Sequence, residues 1–244
     1  MLSLEWLPLA CFRTVMLALT IYVLFPRSSL SLSNISSKLG LSELHAYYLV
    51  ITFWEIVAVV ILLYLLRLNA LPLSAIGLQG GLTMEGVIYA VLGTVASGLL
   101  YPAIEYLMKV LGWGMFWRRP EDRDWFPSTS EYITTKRGLI SMFLIVVITI
   151  PVLEEIIYRG YVLTVLLQSF KGILIPFVLS SLIFASIHCL AGPGFMLLIF
   201  LGTLISSFVF WKFGNLYPCI LMHALNTLIG EIIIPLYDKK GKRG

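Results

Sequence analysis

The sequence has few charged residues for its length. Aspartate, glutamate, lysine and arginine make up 12% of the 244 residues, and 59% are hydrophobic. Soluble domains average about 25% charged and about 45–50% apolar residues. A globular core of this size cannot bury so much apolar surface. We therefore expect an integral membrane protein, whose constant partner is the lipid bilayer.

Paired cysteines and a continuous basic stripe are also lacking. Three cysteines, at 11, 189 and 219, fall in apolar stretches without paired spacing, which excludes a disulfide framework and a zinc ribbon. The formal net charge is +4, and the basic residues stand between apolar runs. That placement is typical of membrane topology control, so nucleic acid is not an expected partner.

Short alternating segments, which would indicate a transmembrane β-barrel, are absent. Long apolar runs instead predict an all-α fold, a polytopic transmembrane bundle of seven or eight helices. The fourth run contains Pro151 and is too long for one simple crossing at about 1.5 Å per residue. It is either a kinked helix or a span followed by a second helical piece. The runs lie near 7–25, 46–66, 86–110, 138–169, 172–190, 194–211 and 215–236.

Three regions are predicted along the chain. Residues 1–137 hold the N-terminal membrane helices and a polar loop, residues 138–236 form a catalytic membrane-helix core, and residues 237–244 are a basic tail. Basic residues cluster in the 109–137 stretch and in the tail, on the same side in the seven-span arrangement. The positive-inside rule makes that side cytoplasmic. No internal repeat is visible, which argues against an inverted-repeat transporter.

The clearest chemical signal is a pair of adjacent carboxylates in an apolar run. Ionisable groups within membrane spans are costly, so a functional role is the default hypothesis. On a helix Glu155 and Arg159 share a face and can pair, whereas Glu154 points roughly 100° away. Glu154 then stays available as a base. The alternative is a buried ion-pair network that only fixes helix packing.

Two histidines also lie within apolar runs. His188 shares a helical face with Phe184, and His223 is followed by Asn226 and Thr227. A lone histidine in such a run is usually a packing residue. Three polar clusters on three separate late helices instead favour a site inside the bundle.

The three clusters together resemble a known family. Glu154-Glu155-x-x-x-Arg159, then Phe184-x-x-x-His188, then His223 with a following asparagine are similar in order and spacing to the CAAX-protease and bacteriocin-processing family. The resemblance covers roughly residues 138–230. The family pattern places its last asparagine four residues after the histidine, whereas here Asn226 is at the third position and Thr227 at the fourth. There are three alternatives, in this order of preference. Asn226 rotates into the role of the family's asparagine, Thr227 supplies its hydroxyl in that role, or this member of the family is impaired.

The resemblance implies an intramembrane endopeptidase. In this scheme Glu154 is the general base on a water that His188 helps to orient, and His223 and Asn226 donate hydrogen bonds to the oxyanion. The supporting residues are Glu155, Arg159, Phe184 and Thr227. No cofactor is implied. In the alternative metal-dependent mechanism, zinc would be held by Glu154, His188 and His223, although no HExxH motif is present.

The implied substrates are membrane-associated or lipidated proteins or peptides. Sixteen residues separate Gly138 from Glu154, about 24 Å of helix, so a cytoplasmic Gly138 places Glu154 toward the outer face. That position favours a membrane-anchored or exported substrate, and a bacterial inner membrane is the expected location. The alternatives are a proton- or ion-coupled transporter and a non-catalytic membrane immunity or scaffold protein of the same fold.

Overall fold

The computed structural model describes residues 36–38, 42–112, 133, 135–188 and 192–241. Within these ranges the regular structure is entirely helical, without strands. The predicted span at 7–25 and most of the polar loop lie outside the described residues.

Five long apolar helices and one short helix make up the described part. The long ones are of sufficient length and hydropathy to cross a membrane, which confirms an all-α transmembrane bundle. Five such crossings are found there, so the number seven or eight stays a prediction. In chain order the helices are α1 (Glu43–Leu68), α2 (Met84–Val110), α3 (Lys136–Ser169), α4 (Leu174–Ser186), α5 (Pro193–Phe213) and α6 (Tyr217–Gly241).

Helix α4 is shorter than the apolar run that predicted it. The run at 172–190 was expected to be a full span, but α4 has 13 residues. At about 1.5 Å per residue it is about 20 Å long, less than a bilayer core of about 30 Å. The chain turns at Ile187 and His188, and α5 starts with Pro193 after Gly192, whose φ is 89°. A proline at the first position suits a new helix and not the continuation of an old one.

Helix α3 runs without a break through Pro151. It has 34 residues and contains two π-helical stretches, Phe143–Thr149 and Ile156–Leu163, on either side of the α-helical Ile150–Glu155. Of the two alternatives that the sequence left open for this run, a span followed by a second helical piece is therefore excluded. A proline ring crowds the carbonyl four residues before it, and the wider π turn ahead of Pro151 relieves that crowding. The same order recurs in α6, where Pro235 follows the π stretch Leu228–Ile233.

The connection between α1 and α2, residues 69–83, packs tightly against one end of the bundle. It contains the 3-10 helix Leu73–Ile76, and the Gly77 carbonyl accepts a hydrogen bond from the Leu216 amide at 3.0 Å. The Ile76 carbonyl lies 2.8 Å from where a Cβ on Gly160 would stand. Only glycine permits so close an approach of the two backbones. We call this the connection end of the bundle.

Gly160→Ala tests this close approach. The added methyl group meets the Ile76 carbonyl, so we expect a loss of about 1–3 kcal/mol, measured as a lower melting temperature of the detergent-solubilised protein. Gly98→Ala in α2 is the matched control, because nothing lies within 4 Å of its Cβ position. Equal melting temperatures for the two variants would contradict the close contact.

Candidate active site

A buried ion pair forms the base of the site. Arg159 Nη1 lies 3.0 Å from Glu155 Oε1, with side chains 2% and 0% exposed. The pair has the i,i+4 spacing that the sequence predicted, and the structure confirms it. Since neither charge contacts bulk water, each depends on the other for compensation.

The His223 imidazole lies between the two adjacent carboxylates. Its Nδ1 is 2.9 Å from Glu155 Oε1, and its Nε2 is 3.5 Å from Glu154 Oε2. Both carboxylates reach the same ring because α6 packs against the Ile150–Glu155 segment of α3. The helical angle alone suggested that Glu154 stands apart from the Glu155–Arg159 pair. The structure instead brings both carboxylates to the same histidine. The hydrogen bond to Glu155 fixes the plane of the ring and directs Nε2 toward Glu154.

The Phe184 ring joins α3, α4 and α6 at this point. The Arg159 guanidinium lies 4.7 Å from its centroid, a cation–π contact. The rings of Tyr158, His188 and His223 lie 4.8, 5.2 and 6.0 Å from it. Phe184 is buried, so it is a central packing element of the site as well as a wall.

His188 is held at the end of α4. Its Nδ1 lies 3.2 Å from the Phe184 carbonyl oxygen, where it acts as a donor, so Nε2 of the neutral ring is an acceptor. Within the described residues no hydrogen bond or ion pair joins His188 to Glu154. The Phe184 ring contacts both imidazoles, so His188 borders the site from the α4 side.

Residues 136–229 match the family model described as type II CAAX prenyl endopeptidase, Rce1-like. This segment holds every residue of the three motifs. The matched segment, which is less than half of the chain, is similar to the CAAX-protease and bacteriocin-processing family. No curated protein and no solved structure gives a match. This match, together with five helices that are long and apolar enough to cross a membrane, indicates an integral membrane protein that resembles the CAAX proteases.

The departure from the family's asparagine spacing falls on α6. Asn226 and Thr227 are both half-buried. At about 100° per residue, Asn226 lies about 60° from His223 to one side and Thr227 about 40° to the other. Both therefore stand on the side of α6 that carries His223, and neither has a side-chain hydrogen bond within the described part of the chain. Either is free to contact a substrate.

The zinc ligands of the alternative mechanism do not converge within the described residues. Glu154 and His223 lie together, but no hydrogen bond or ion pair joins His188 to either of them. No group of three or more His, Cys, Asp or Glu side chains in the described ranges could hold a metal ion. A catalytic zinc needs three protein ligands around one open position, and this arrangement does not supply them.

The structure adds Glu55, a residue that the motifs did not include. Glu55 stands in the middle of α1 and is buried, and α1 packs against the Ile150–Glu155 segment of α3. The signal was present in the sequence as an acidic residue inside a long apolar run, the criterion that drew attention to Glu154. No family motif covers α1, so the motifs give no indication of Glu55.

Arg159→Met tests the buried ion pair. The variant leaves the Glu155 carboxylate without its arginine, and we expect a loss of about 3–5 kcal/mol, measured as a lower melting temperature. Lys109→Met is the matched control, since Lys109 pairs with Glu105 at the same i,i+4 spacing and the same 3.0 Å but is 68% exposed. We expect little change there. Similar shifts in both variants would show that burial of the Arg159 pair does not matter.

Proposed function

We propose that the chain is a glutamate-type intramembrane endopeptidase, in which Glu154 activates a water molecule for attack on a peptide bond. The observation that carries this proposal is the buried Glu154 carboxylate facing Nε2 of a histidine whose other nitrogen is held by Glu155. A base and an oriented hydrogen-bonding group are thereby placed side by side.

The gap between Glu154 and His223 supports this role. Their 3.5 Å separation exceeds a usual hydrogen bond of about 2.7–3.2 Å. Because this contact is long, both groups keep hydrogen-bonding capacity for an incoming oxygen, from water or from the substrate carbonyl, that lies beside them. Contacts of this kind are commonly loose in the free enzyme and tighten in the complex.

The charges of the cluster also suit the reaction. With His223 protonated, the Glu154 and Glu155 carboxylates are balanced by Arg159 and the imidazolium. A cluster with no net charge is far less costly to bury than an uncompensated one. The imidazolium Nε2–H then donates to the oxyanion that forms as the carbonyl is attacked, and a dry interior strengthens that bond.

The reaction balances without a further reactant. Glu154 takes one proton from water as the hydroxide oxygen bonds to the carbonyl carbon. The tetrahedral oxyanion then collapses, the carbon–nitrogen bond breaks, and Glu154 returns the proton to the leaving amine. His188 borders the site with an acceptor nitrogen for the water, and Asn226 supplies a second donor to the oxyanion.

The depth of the site bears on the substrate class. Glu154 is six residues from Gly160, and His223 is seven from Leu216, so both lie about 9–10 Å from the connection end. Lys136 and Arg137, at the opposite end of α3, belong to the more basic side. The positive-inside rule makes that side cytoplasmic. The site is then closer to the outer face, which favours membrane-anchored or exported protein substrates of a bacterial inner membrane.

Glu154→Gln in the native host tests the catalytic assignment. The amide keeps the shape of the carboxyl but cannot take a proton, so we expect cleavage to fall by about 10²–10⁴-fold. Uncleaved membrane-protein precursors should accumulate in the variant and be detected by mass spectrometry. Glu85→Gln, which alters an exposed pair with Lys212, is the control and should leave the precursor profile unchanged.

An unchanged profile in folded, inserted Glu154→Gln protein would favour the transporter or scaffold alternative. The same assay separates the two candidates on α6. Asn226→Ala should slow cleavage more than Thr227→Val does if Asn226 is the oxyanion donor. The reverse order would assign that role to Thr227.

Cysteine labelling tests the orientation. In a chain whose three native cysteines are replaced, we expect Gln79→Cys at the connection end to react with a membrane-impermeant maleimide in intact cells. Both Gln79 and Lys136 are exposed, so Lys136→Cys is the matched site at the other end and should react only after permeabilisation. The opposite pattern would place the site toward the cytoplasm.

A further inference from the structure

Helix α2 packs directly against the part of α6 that carries the candidate oxyanion donors. Glycines on α2 allow this close approach. A Cβ on Gly86 would lie 2.9 Å from Pro218 Cγ, and a Cβ on Gly93 would lie 2.6 Å from Met222 Sδ. Small residues at such contacts let two membrane helices come close together. Because α2 precedes the matched residues 136–229, this contact lies outside the segment that resembles the family.

Thr94 makes a polar contact across this interface. Its side chain is 7% exposed. Its hydroxyl donates to two carbonyl oxygens, that of Ala90 on its own helix at 2.9 Å and that of Met222 on α6 at 3.4 Å. One proton shared between two acceptors is a three-centre bond, and the Met222 arm is the longer and weaker one. A carbonyl oxygen has two lone pairs, so the Met222 oxygen can accept from Thr94 and still close its own helical turn.

The Met222 carbonyl stands at the start of the turn that holds both candidate donors. The structure is α-helical over Tyr217–Thr227, where each carbonyl accepts from the amide four residues later. The turn that begins at the Met222 carbonyl therefore ends at the Asn226 amide and contains His223. A contact that fixes this carbonyl relative to α2 also fixes the height and the rotation of the turn.

We propose that Thr94 is a positioning residue for His223 and Asn226, its hydroxyl holding the turn that carries them against α2. Glu155 holds the His223 ring from α3, and Thr94 holds the preceding backbone carbonyl from α2. Oxyanion donors act through their placement, and a displacement of about 1 Å can slow a reaction by about 10²-fold. The inference rests on the proposed function, since it takes these two residues as donors to the oxyanion.

The main alternative is that Thr94 only fills space between the two helices. Valine has a similar shape to threonine but no hydroxyl, whereas serine keeps the hydroxyl and loses a methyl group. A packing role predicts that Thr94→Val cleaves normally and that Thr94→Ser, which leaves a small cavity, is the more harmful change. Positioning through a hydrogen bond predicts the reverse order.

The test compares cleavage half-times in pulse-chase experiments on full-length variants in the native host, with the precursor that accumulates in Glu154→Gln as the substrate. We expect Thr94→Val to be slower by roughly tenfold, because the weaker arm is lost, and Thr94→Ser to stay within about twofold of wild type. Thr203→Val is the matched control and should cleave at the wild-type rate. Thr203 is a buried threonine on α5 whose hydroxyl donates at 2.6 Å to the Ile199 carbonyl, within its own helix.

Nuclear magnetic resonance of the purified protein reads the Met222 carbonyl without any cleavage. Met222-His223 is the only methionine–histidine pair in the sequence. Labelling methionine carbonyls with ¹³C and histidine amides with ¹⁵N therefore selects this one carbonyl. We expect its chemical shift to change in Thr94→Val and to keep the wild-type value in Thr94→Ser and Thr203→Val. An unchanged shift in Thr94→Val would overturn the proposal.

The outcomes separate the proposed function from the positioning role. Normal cleavage by Glu154→Gln would refute the proposed function itself. If Glu154→Gln is inactive while Thr94→Val cleaves at the wild-type rate, or if Thr94→Ser is as slow as Thr94→Val, only the positioning role fails. A Thr94→Val protein that does not fold would make the hydroxyl a requirement of folding and would also overturn that role. Slow cleavage in folded Thr94→Val alone, with a displaced Met222 signal, supports it.

Discussion

The site depends on the need to compensate charge inside an apolar bundle. One oxygen, Glu155 Oε1, lies 3.0 Å from Arg159 Nη1 and 2.9 Å from His223 Nδ1. Phe184 covers the guanidinium from α4. The charge pair itself lies within α3, and His223 from α6 and Phe184 from α4 pack around it, so the pair links the three helices at one buried point. The geometry around Glu154 follows from that requirement, because the Glu155 contact orients the ring that Glu154 faces.

The sequence predicted the parts of this site that depend on neighbours along the chain. The Glu155–Arg159 pair follows from i,i+4 spacing, and so does the contact between Phe184 and His188. The apolar runs predicted most of the helices to within a few residues. The His223 bridge could not be predicted this way, since it joins residues that are 68 positions apart and depends on how α6 packs against α3. The early end of α4 and the π stretches reflect backbone geometry at Gly192-Pro193 and Pro151, for which hydropathy gives no signal.

The π stretches of α3 border the part of the helix that carries both glutamates. Glu154 and Glu155 close a six-residue α-helical segment between Phe143–Thr149 and Ile156–Leu163. Such stretches recur at functional sites because the wider turn shifts the faces of a helix relative to its neighbours. Here the first one accommodates Pro151, and the second follows Glu155 directly and packs against α4.

A helix outside the segment that the family resemblance covers also packs against the candidate site. A carboxyl in the middle of an apolar span is costly, and Glu55 is buried in α1, which packs against the Ile150–Glu155 segment of α3. Because the connection of residues 69–83 also packs against Gly160, α1 is held to α3 at both the site and the connection end.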